Sequence, residues 1–287
     1  MGIFNLDEIL NPSTTITYQK VIDSHNSIPK RICFNSCHSN ALRETNFDNN
    51  PDVKWALFIP FDNSIRKIFE RETGLQIFPT KNGKYWCPIK KEEDYKKALT
   101  FKEKYKSNVF VRDNLDLSIS LSEHMDEVEN RTYLGELEYQ AKYCNNAKAR
   151  IKISNLIIEF IKSTPFYKEC IHICAIPSSN KEKINLPMKI ANRIVANSEL
   201  IDISQYISWK SSKNQLKELS FEEKWKELES TDLELKIDKK IKSVILIDDL
   251  YQSGTTLQFV AMKLKEHGLK KVYGLTIVKA RNDSDNN

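Results

Sequence analysis

Along residues 130–281 the apolar positions recur at two periods. Residues 134–143, 151–161 and 186–195 repeat every three to four positions, which predicts amphipathic helices. Residues 171–176, 200–207, 244–247 and 271–278 are short, β-branched apolar runs, the pattern of strands covered on both faces. Ser220-Phe-Glu-Glu223 has the order of a capping box and opens a helix through Leu228. Residues 255–267 predict another helix, with Leu257, Val260, Ala261 and Leu264 on one face and Gly268 at its C-terminal cap. Strands that alternate with helices predict an α/β fold, a parallel sheet flanked by helices and joined by right-handed crossovers.

The N-terminal half has a different rhythm. Residues 55–61 form a strand-like run, Ile65, Ile68 and Phe69 have helical spacing, and Gly74 interrupts it. Residues 75–78 resume as strand, Asn82-Gly83 signals a hairpin before Tyr85-Trp86-Cys87, and residues 94–105 read as a charged helix. The expectation is a small α+β domain of β-α-β-β-α order over 53–105. Residues 106–129 are polar and mixed, so they are expected to be a linker; residues 1–52 are left unassigned, and 130–287 form the α/β domain. The final residues, 282–287, are expected to fray.

Composition narrows the classes. The chain has 287 residues, 40% hydrophobic and 29% charged, which excludes a disordered chain. Seven glycines and nine prolines exclude collagen-like and linker-dominated chains. A net charge of +5 tolerates a phosphate-rich partner without requiring one. No apolar run is long enough to span a bilayer. Asp7 and Glu8 fall where a secretory signal needs positive charge, and Leu6 stands where myristoylation needs Ser or Thr. A cytoplasmic protein without a membrane partner is expected. The six cysteines are then reduced thiols. Cys33-x-x-x-Cys37-His38 has no second clustered pair, which favours structural cysteines over zinc, and Cys170 and Cys174 sit in or beside an apolar strand.

One segment carries chemistry: Val244-Ile-Leu-Ile-Asp248-Asp249-Leu250-Tyr251-Gln252-Ser253-Gly254-Thr255-Thr256. An apolar strand runs into two acids, then a small-residue turn, then a helix. Open α/β sheets bind ligands beyond the carboxyl ends of their strands. A helix N-terminus presents N–H groups and positive dipole to an anion. Ser253, Thr255 and Thr256 add hydroxyls, Gly254 allows close approach, and two carboxylates can accept hydrogen bonds from the vicinal hydroxyls of a sugar. Together they suit a ribose 5-phosphate. The absence of Gly-Lys-Ser/Thr excludes a Walker A loop, and the scarcity of glycine excludes a dinucleotide fingerprint.

This stretch resembles the phosphoribosyl-pyrophosphate (PRPP) signature of type I phosphoribosyltransferases. The segment from Tyr133 through Lys142-Tyr143 resembles the opening helix of the ComF-like branch of that family, and the likeness spans roughly residues 130–281. It implies a phosphoribosyltransferase-like sheet. Asp248 and Asp249 would act catalytically, hold the ribose hydroxyls and lie near Mg²⁺. Gln252, Ser253, Gly254, Thr255 and Thr256 would cradle the 5-phosphate. Ser178, Ser179 and Asn180 would touch pyrophosphate, with Lys213 from a mobile basic loop. The implied activity is phosphoribosyl transfer from PRPP to an unassigned acceptor with release of pyrophosphate, within nucleotide metabolism. Three departures stand out. Gln252 replaces the acid of purine-type members and cannot take a proton. The pyrophosphate loop lacks a basic residue unless Lys181 or Lys183 supplies it. The N-terminal zinc ribbon usual in the ComF-like branch is absent.

Two side expectations follow. Lys213, Lys217, Lys224 and Lys226 alternate with Glu218, Glu222, Glu223 and Glu227, which reads as a solvated helix face with Lys213 as the exception, and Trp209, Phe221 and Trp225 read as packing residues. Residues 55–101 resemble the HARP module through Phe58-Ile-Pro-Phe61, Gly74, Tyr85-Trp86 and the helix that follows. Lys84, Tyr85 and Trp86 would then offer a stacking and phosphate surface for single-stranded DNA. The alternative to an enzyme is therefore a non-catalytic PRPP- or nucleotide-sensing module linked to DNA binding, uptake or processing. A homodimer is also expected.

Overall fold

Backbone amides at a helix start need acceptors, and the Thr17 hydroxyl supplies one by accepting from Lys20 N to cap helix α1 (Tyr18–Asn26). The computed structural model describes residues 15–281 except 49, 180–183, 212–215 and 217–218. After α1 come strands β1 (Arg31–Cys33), β2 (Leu42–Glu44) and β3 (Trp55–Ile59), then α2 (Arg66–Thr73), which ends at Gly74 in the left-handed region. The hairpin β4 (Phe78–Pro79) and β5 (Tyr85–Ile89) follows, and then α3 (Glu92–Lys104). The β-α-β-β-α order of 53–105 is present. Its strands form an antiparallel sheet of order β2-β3-β5-β4 that also takes in β2 from the unassigned N-terminal segment.

The linker expectation for 106–129 is corrected. The segment contains β6 (Val109–Val111) and β7 (Leu117–Glu123), both in the central sheet. Its polar character misleads because Ser118 and Ser120 are buried and satisfied inside the sheet. The Ser120 hydroxyl pairs with Thr276 of the neighbouring strand, and Ser118 N donates to Ser64 Oγ at 2.8 Å.

The remaining elements are α4 (Tyr133–Tyr143), α5 (Ala147–Ser163), β8 (His172–Ala175), α6 (Leu186–Ala196) and β9 (Ile201–Asp202). A 3₁₀ turn at Ser204–Tyr206 leads to β10 (Ile207–Trp209), α7 (Phe221–Thr231), β11 (Leu233–Leu235), β12 (Ser243–Tyr251), α8 (Thr255–His267) and β13 (Lys271–Lys279). The strand expected over 200–207 is thus divided. Asp202 Oδ1 accepts from Ser204 N at 2.8 Å and turns the chain, so Ile207 pairs instead with Leu235 in a separate two-stranded ladder.

The fold is α/β, with a central seven-stranded sheet of order β1-β6-β7-β13-β12-β8-β9 flanked by helices. Strands β7, β13, β12, β8 and β9 run parallel. β6 is antiparallel to β7 and β1 to β6, so the sheet is mixed rather than parallel throughout. One face is covered by α4, α5 and α6 through Leu137, Ile153, Ile157 and Ile190, and the core there is continuous with that of the small antiparallel sheet. The other face is covered by α8, α7 and α1 through Val260, Leu264, Trp225, Leu228 and Val21. Trp209 and Trp225 are buried, as expected of packing residues, and so are Cys170 and Cys174. None of the helices among the described residues is long and apolar enough to cross a membrane.

Candidate functional site

Adjacent parallel strands end side by side at the carboxyl edge of the sheet. Ile247 of β12 is in register with Ala175 of β8, and Ile176 N donates to Ile247 O at 2.9 Å. β8 ends at that register, whereas β12 continues for four more residues to Tyr251, so Asp248 lies beside the start of the loop after β8 and the β12 turn lies farther out. Between β12 and α8 lies a hollow of about 230 Å³. It is below the ~300–1,000 Å³ of drug-sized sites and suits a small phosphorylated sugar better than a dinucleotide. Asp248, Gln252, Ser253, Gly254, Thr255 and Thr256 line it, with Lys224 and Leu216 from beyond the signature.

The turn is built around one glycine. Gly254 is the N-cap of α8 and has φ 68°, a conformation that L-residues rarely adopt. A Cβ built there would overlap the Tyr251 hydroxyl. Tyr251 is buried beneath the turn, and its hydroxyl donates to Asp113 Oδ2 at 3.1 Å. Thr255 Oγ1 donates to Ser253 Oγ at 2.8 Å, and Gln258 N closes the first helical turn on Gly254 O. The N–H groups of Thr256 and Leu257 have no acceptor among the described residues. An anion in the hollow would meet those donors at the positive end of the α8 dipole.

The segment expected to be a linker is the scaffold of this turn. Asp113 and Asn114 lie between β6 and β7. Gln258 Oε1 accepts from Asn114 N at 3.1 Å and from Asn114 Nδ2 at 2.8 Å, and the same amide donates to Lys20 O in α1. Burial pushes the Asp113 carboxyl up to about 6, against the opposing hydrogen bonds of Ser118, Leu115 N and Tyr251. The folded value lies above the ordinary one, so the folded chain holds this proton more tightly than the unfolded chain. Acidification through 6 toward 4 should therefore stabilise the fold relative to an Asp113→Asn variant, by about 2 kcal/mol. Urea unfolding of both proteins from pH 7 to pH 4 checks this. Parallel trends in the two would remove Asp113 as the cause.

The two aspartates do not act as a pair. Successive strand residues face opposite sides, and Asp248 lines the hollow whereas Asp249 does not. Asp249 Oδ2 instead meets Lys142 Nζ of α4 at 2.9 Å, and its Oδ1 accepts from Leu250 N. Lys142 also lies 3.4 Å from Glu138 Oε1, and His124 Nε2 lies 3.8 Å from Glu138 Oε2. Glu138 is buried. Its burial raises the carboxyl pKa, while Lys142 opposes the rise. Burial works against the Lys142 charge, but Asp249 and then Glu138 more than offset it and hold its proton well above the usual lysine range. The shared grip of both aspartates on one sugar is thus corrected to Asp248 alone at the hollow.

The rest of the expected site divides in the same way. Ser178 and Ser179 follow β8, and Ser178 lines a neighbouring hollow of about 170 Å³ with Met188, Ser204 and Trp209, whose indole donates to Pro177 O at 3.1 Å. Asn185 caps α6 and reaches back to Ile176 O. Asn180, Lys181, Lys183, Lys213 and Lys217 lie outside the described residues. Lys226 is exposed as expected, but Lys224 is only 4% exposed and faces the hollow. Sequence reasoning read it as solvated because the charge alternation of α7 hides one inward position. Tyr18 of α1 stacks on Phe221 and tilts against Trp225 at 5.2 Å, which closes α7 over the site.

Tyr85 and Trp86 are consecutive residues of β5 and face opposite ways. Burial and then the Asp62 carboxylate raise the Tyr85 pKa above its ordinary value. Trp86 stands opposite both Phe58 and Phe78 in register, stacks on Phe58 at 6.3 Å and meets the Phe47 ring edge at 5.8 Å. Arg43 lies 4.4 Å over the Phe58 ring, Lys84 is exposed, and Phe78 is 48% exposed. Tyr85 therefore leaves the expected stacking surface, and Phe58, Phe78 and Arg43 join it. Among the described residues no group of three or more His, Cys, Asp or Glu side chains could hold a metal ion.

A scan against protein-family models finds no family that matches the chain, and a search of curated proteins finds no match either.

Proposed function

We propose that the chain binds PRPP at the β12–α8 hollow, in the manner of a type I phosphoribosyltransferase. The observation that carries this reading is the turn itself: a left-handed Gly254, two helix N–H groups without an acceptor among the described residues and three hydroxyl side chains beside Asp248. The 5-phosphate sits on that turn, Asp248 accepts a hydrogen bond from a ribose hydroxyl, and the pyrophosphate extends toward Ser178 and Ser179 on the adjacent strand's loop. The parallel pairing of β8 with β12, which sets Asp248 beside the start of the loop after β8, supports a phosphoribosyltransferase-type sheet.

Transfer breaks the C1–pyrophosphate bond, whose electron pair leaves with pyrophosphate, and forms a bond from the acceptor to C1. The acceptor's proton goes to solvent, because Gln252 cannot take it. At the hollow, Asp248 is the carboxylate that would hold an Mg²⁺ arriving with the substrate phosphates. Bound there, it would offset charge on the leaving pyrophosphate. Calorimetry with PRPP and Mg²⁺ tests the reading. Saturable binding is expected, and no heat at millimolar PRPP overturns it. Pyrophosphate release across a set of nucleobases and amines separates a transferase from a sensor that only binds.

A second activity is favoured by the row Phe58–Trp86–Phe78 with Arg43 and Lys84: a stacking surface for single-stranded DNA. Trp86→Ala should weaken oligonucleotide binding by about 1–3 kcal/mol. Lys84→Ala should reduce the slope of log K against log salt by about 0.7. Fluorescence anisotropy across a salt series reads both, and unchanged values in either variant would remove this surface.

A further inference from the structure

A lysine is almost never fully buried unless its charge is paired. Lys224 is 4% exposed, on a helix whose neighbouring positions Glu222, Glu223 and Lys226 are all exposed. It lines the hollow together with Ser253, Gly254, Thr255 and Thr256. Its helix is fixed from two sides. Trp225 packs edge-on against Phe259 of α8 at 5.4 Å, and Tyr18 of α1 packs on Phe221 and Trp225. His25 of α1 stacks on Phe221 at 4.3 Å. Burial, then the Lys30 and Lys224 charges, hold that imidazole down to about 4. A second cation lies beneath the same turn: Lys279 is fully buried, donates to Ala280 O at 2.7 Å and lies 5.7 Å from the Tyr251 ring.

Resting on the PRPP reading, we infer that Lys224 is the residue that selects a phosphomonoester end in this hollow, and that α1 holds it there. The turn alone offers neutral N–H and O–H donors. These accept an anion but discriminate poorly between a phosphate and a neutral hydroxyl group. A fixed ammonium beside them makes a charge-assisted contact that a non-phosphorylated sugar cannot return. The N-terminal segment thereby becomes part of the binding site, although it lies more than 220 residues away in sequence from the β12–α8 turn.

The test uses the full chain with ribose 5-phosphate and PRPP as probes in calorimetry. Lys224→Met is expected to lower affinity for both by about tenfold or more. Lys224→Arg should keep most of the affinity, because it retains the charge. Tyr18→Ala should weaken both ligands less than Lys224→Met does. Thermal unfolding of each variant identifies any that fails to fold, and Lys224→Gln then replaces it. Affinity in Lys224→Met within about twofold of the native chain overturns the inference while the PRPP reading stands. Equal losses in Lys224→Met and Lys224→Arg, with unfolding temperatures unchanged, also overturn it, since shape rather than charge would then matter. Failure of the native chain to bind either probe removes both readings.

Discussion

Gly254→Ala should abolish PRPP binding and destabilise the fold by roughly 2–4 kcal/mol. Two costs combine. The first is the left-handed backbone, φ 68°, which an L-residue adopts only under strain. The second is steric, because the new methyl group would overlap the Tyr251 hydroxyl. That hydroxyl cannot simply withdraw, since it is buried and bound to Asp113. Gly83 supplies the control. It has φ 73° in the β4–β5 turn, and nothing lies within 4 Å of a Cβ there. Gly83→Ala therefore carries the backbone cost alone, about 1 kcal/mol. Denaturant unfolding of both variants isolates the Tyr251 overlap as their difference. A loss in Gly254→Ala no larger than in Gly83→Ala would mean that the turn is looser than its geometry indicates.

The elements that sequence made legible are those whose burial follows a single period. The helix over 255–267 was expected with the bounds it has, because its apolar face repeats strictly and Gly268 ends it at φ 116°. The capping box at Ser220 is formed in full, with Glu223 reaching back to the cap. What stayed hidden was polar residues doing core work. Ser118 and Ser120 made a buried strand look like a linker, since the Ser120 hydroxyl is satisfied across the sheet by Thr276 and the Ser118 hydroxyl by Asp113, not by water. The strand β12 was expected to stop at Ile247 because acids follow. It runs on to Tyr251, since pairing with β13 continues through Leu250 and Tyr251. That extension is why Asp248 and Asp249 part company: residues that continue a strand alternate faces, whereas residues in a turn can converge. Asp113, Asn114 and Lys142 carried no local signal, because each acts on the site from a segment distant in sequence.

Lys142 is the residue where charge balance should have its largest measurable effect. It is the cation between Glu138, which is 4% exposed at its side chain, and Asp249, which is 16% exposed. Lys142→Met would leave a buried carboxylate without its closest counter-charge, with the Arg131 charge still acting on it; stranding one member of a fully enclosed pair costs ~3–5 kcal/mol. Lys142 itself is 31% exposed, so water offsets part of this. A loss of about 2–3 kcal/mol is expected at pH 7. Glu138→Gln in the same chain should return most of that loss, because it removes the stranded charge while keeping the shape. Asp249→Asn alone should cost under about 1 kcal/mol, since Glu138 still satisfies the lysine. A double-mutant cycle by urea unfolding measures these terms, and no recovery in Lys142→Met with Glu138→Gln would assign the lysine to packing instead. Binding should rank the aspartates in the same assay set. Asp248→Asn, at the hollow, should weaken PRPP by about tenfold or more, and Asp249→Asn by less. The reverse order would mean that the ligand draws Asp249 away from Lys142 and that the sugar is held from the α4 face of the sheet.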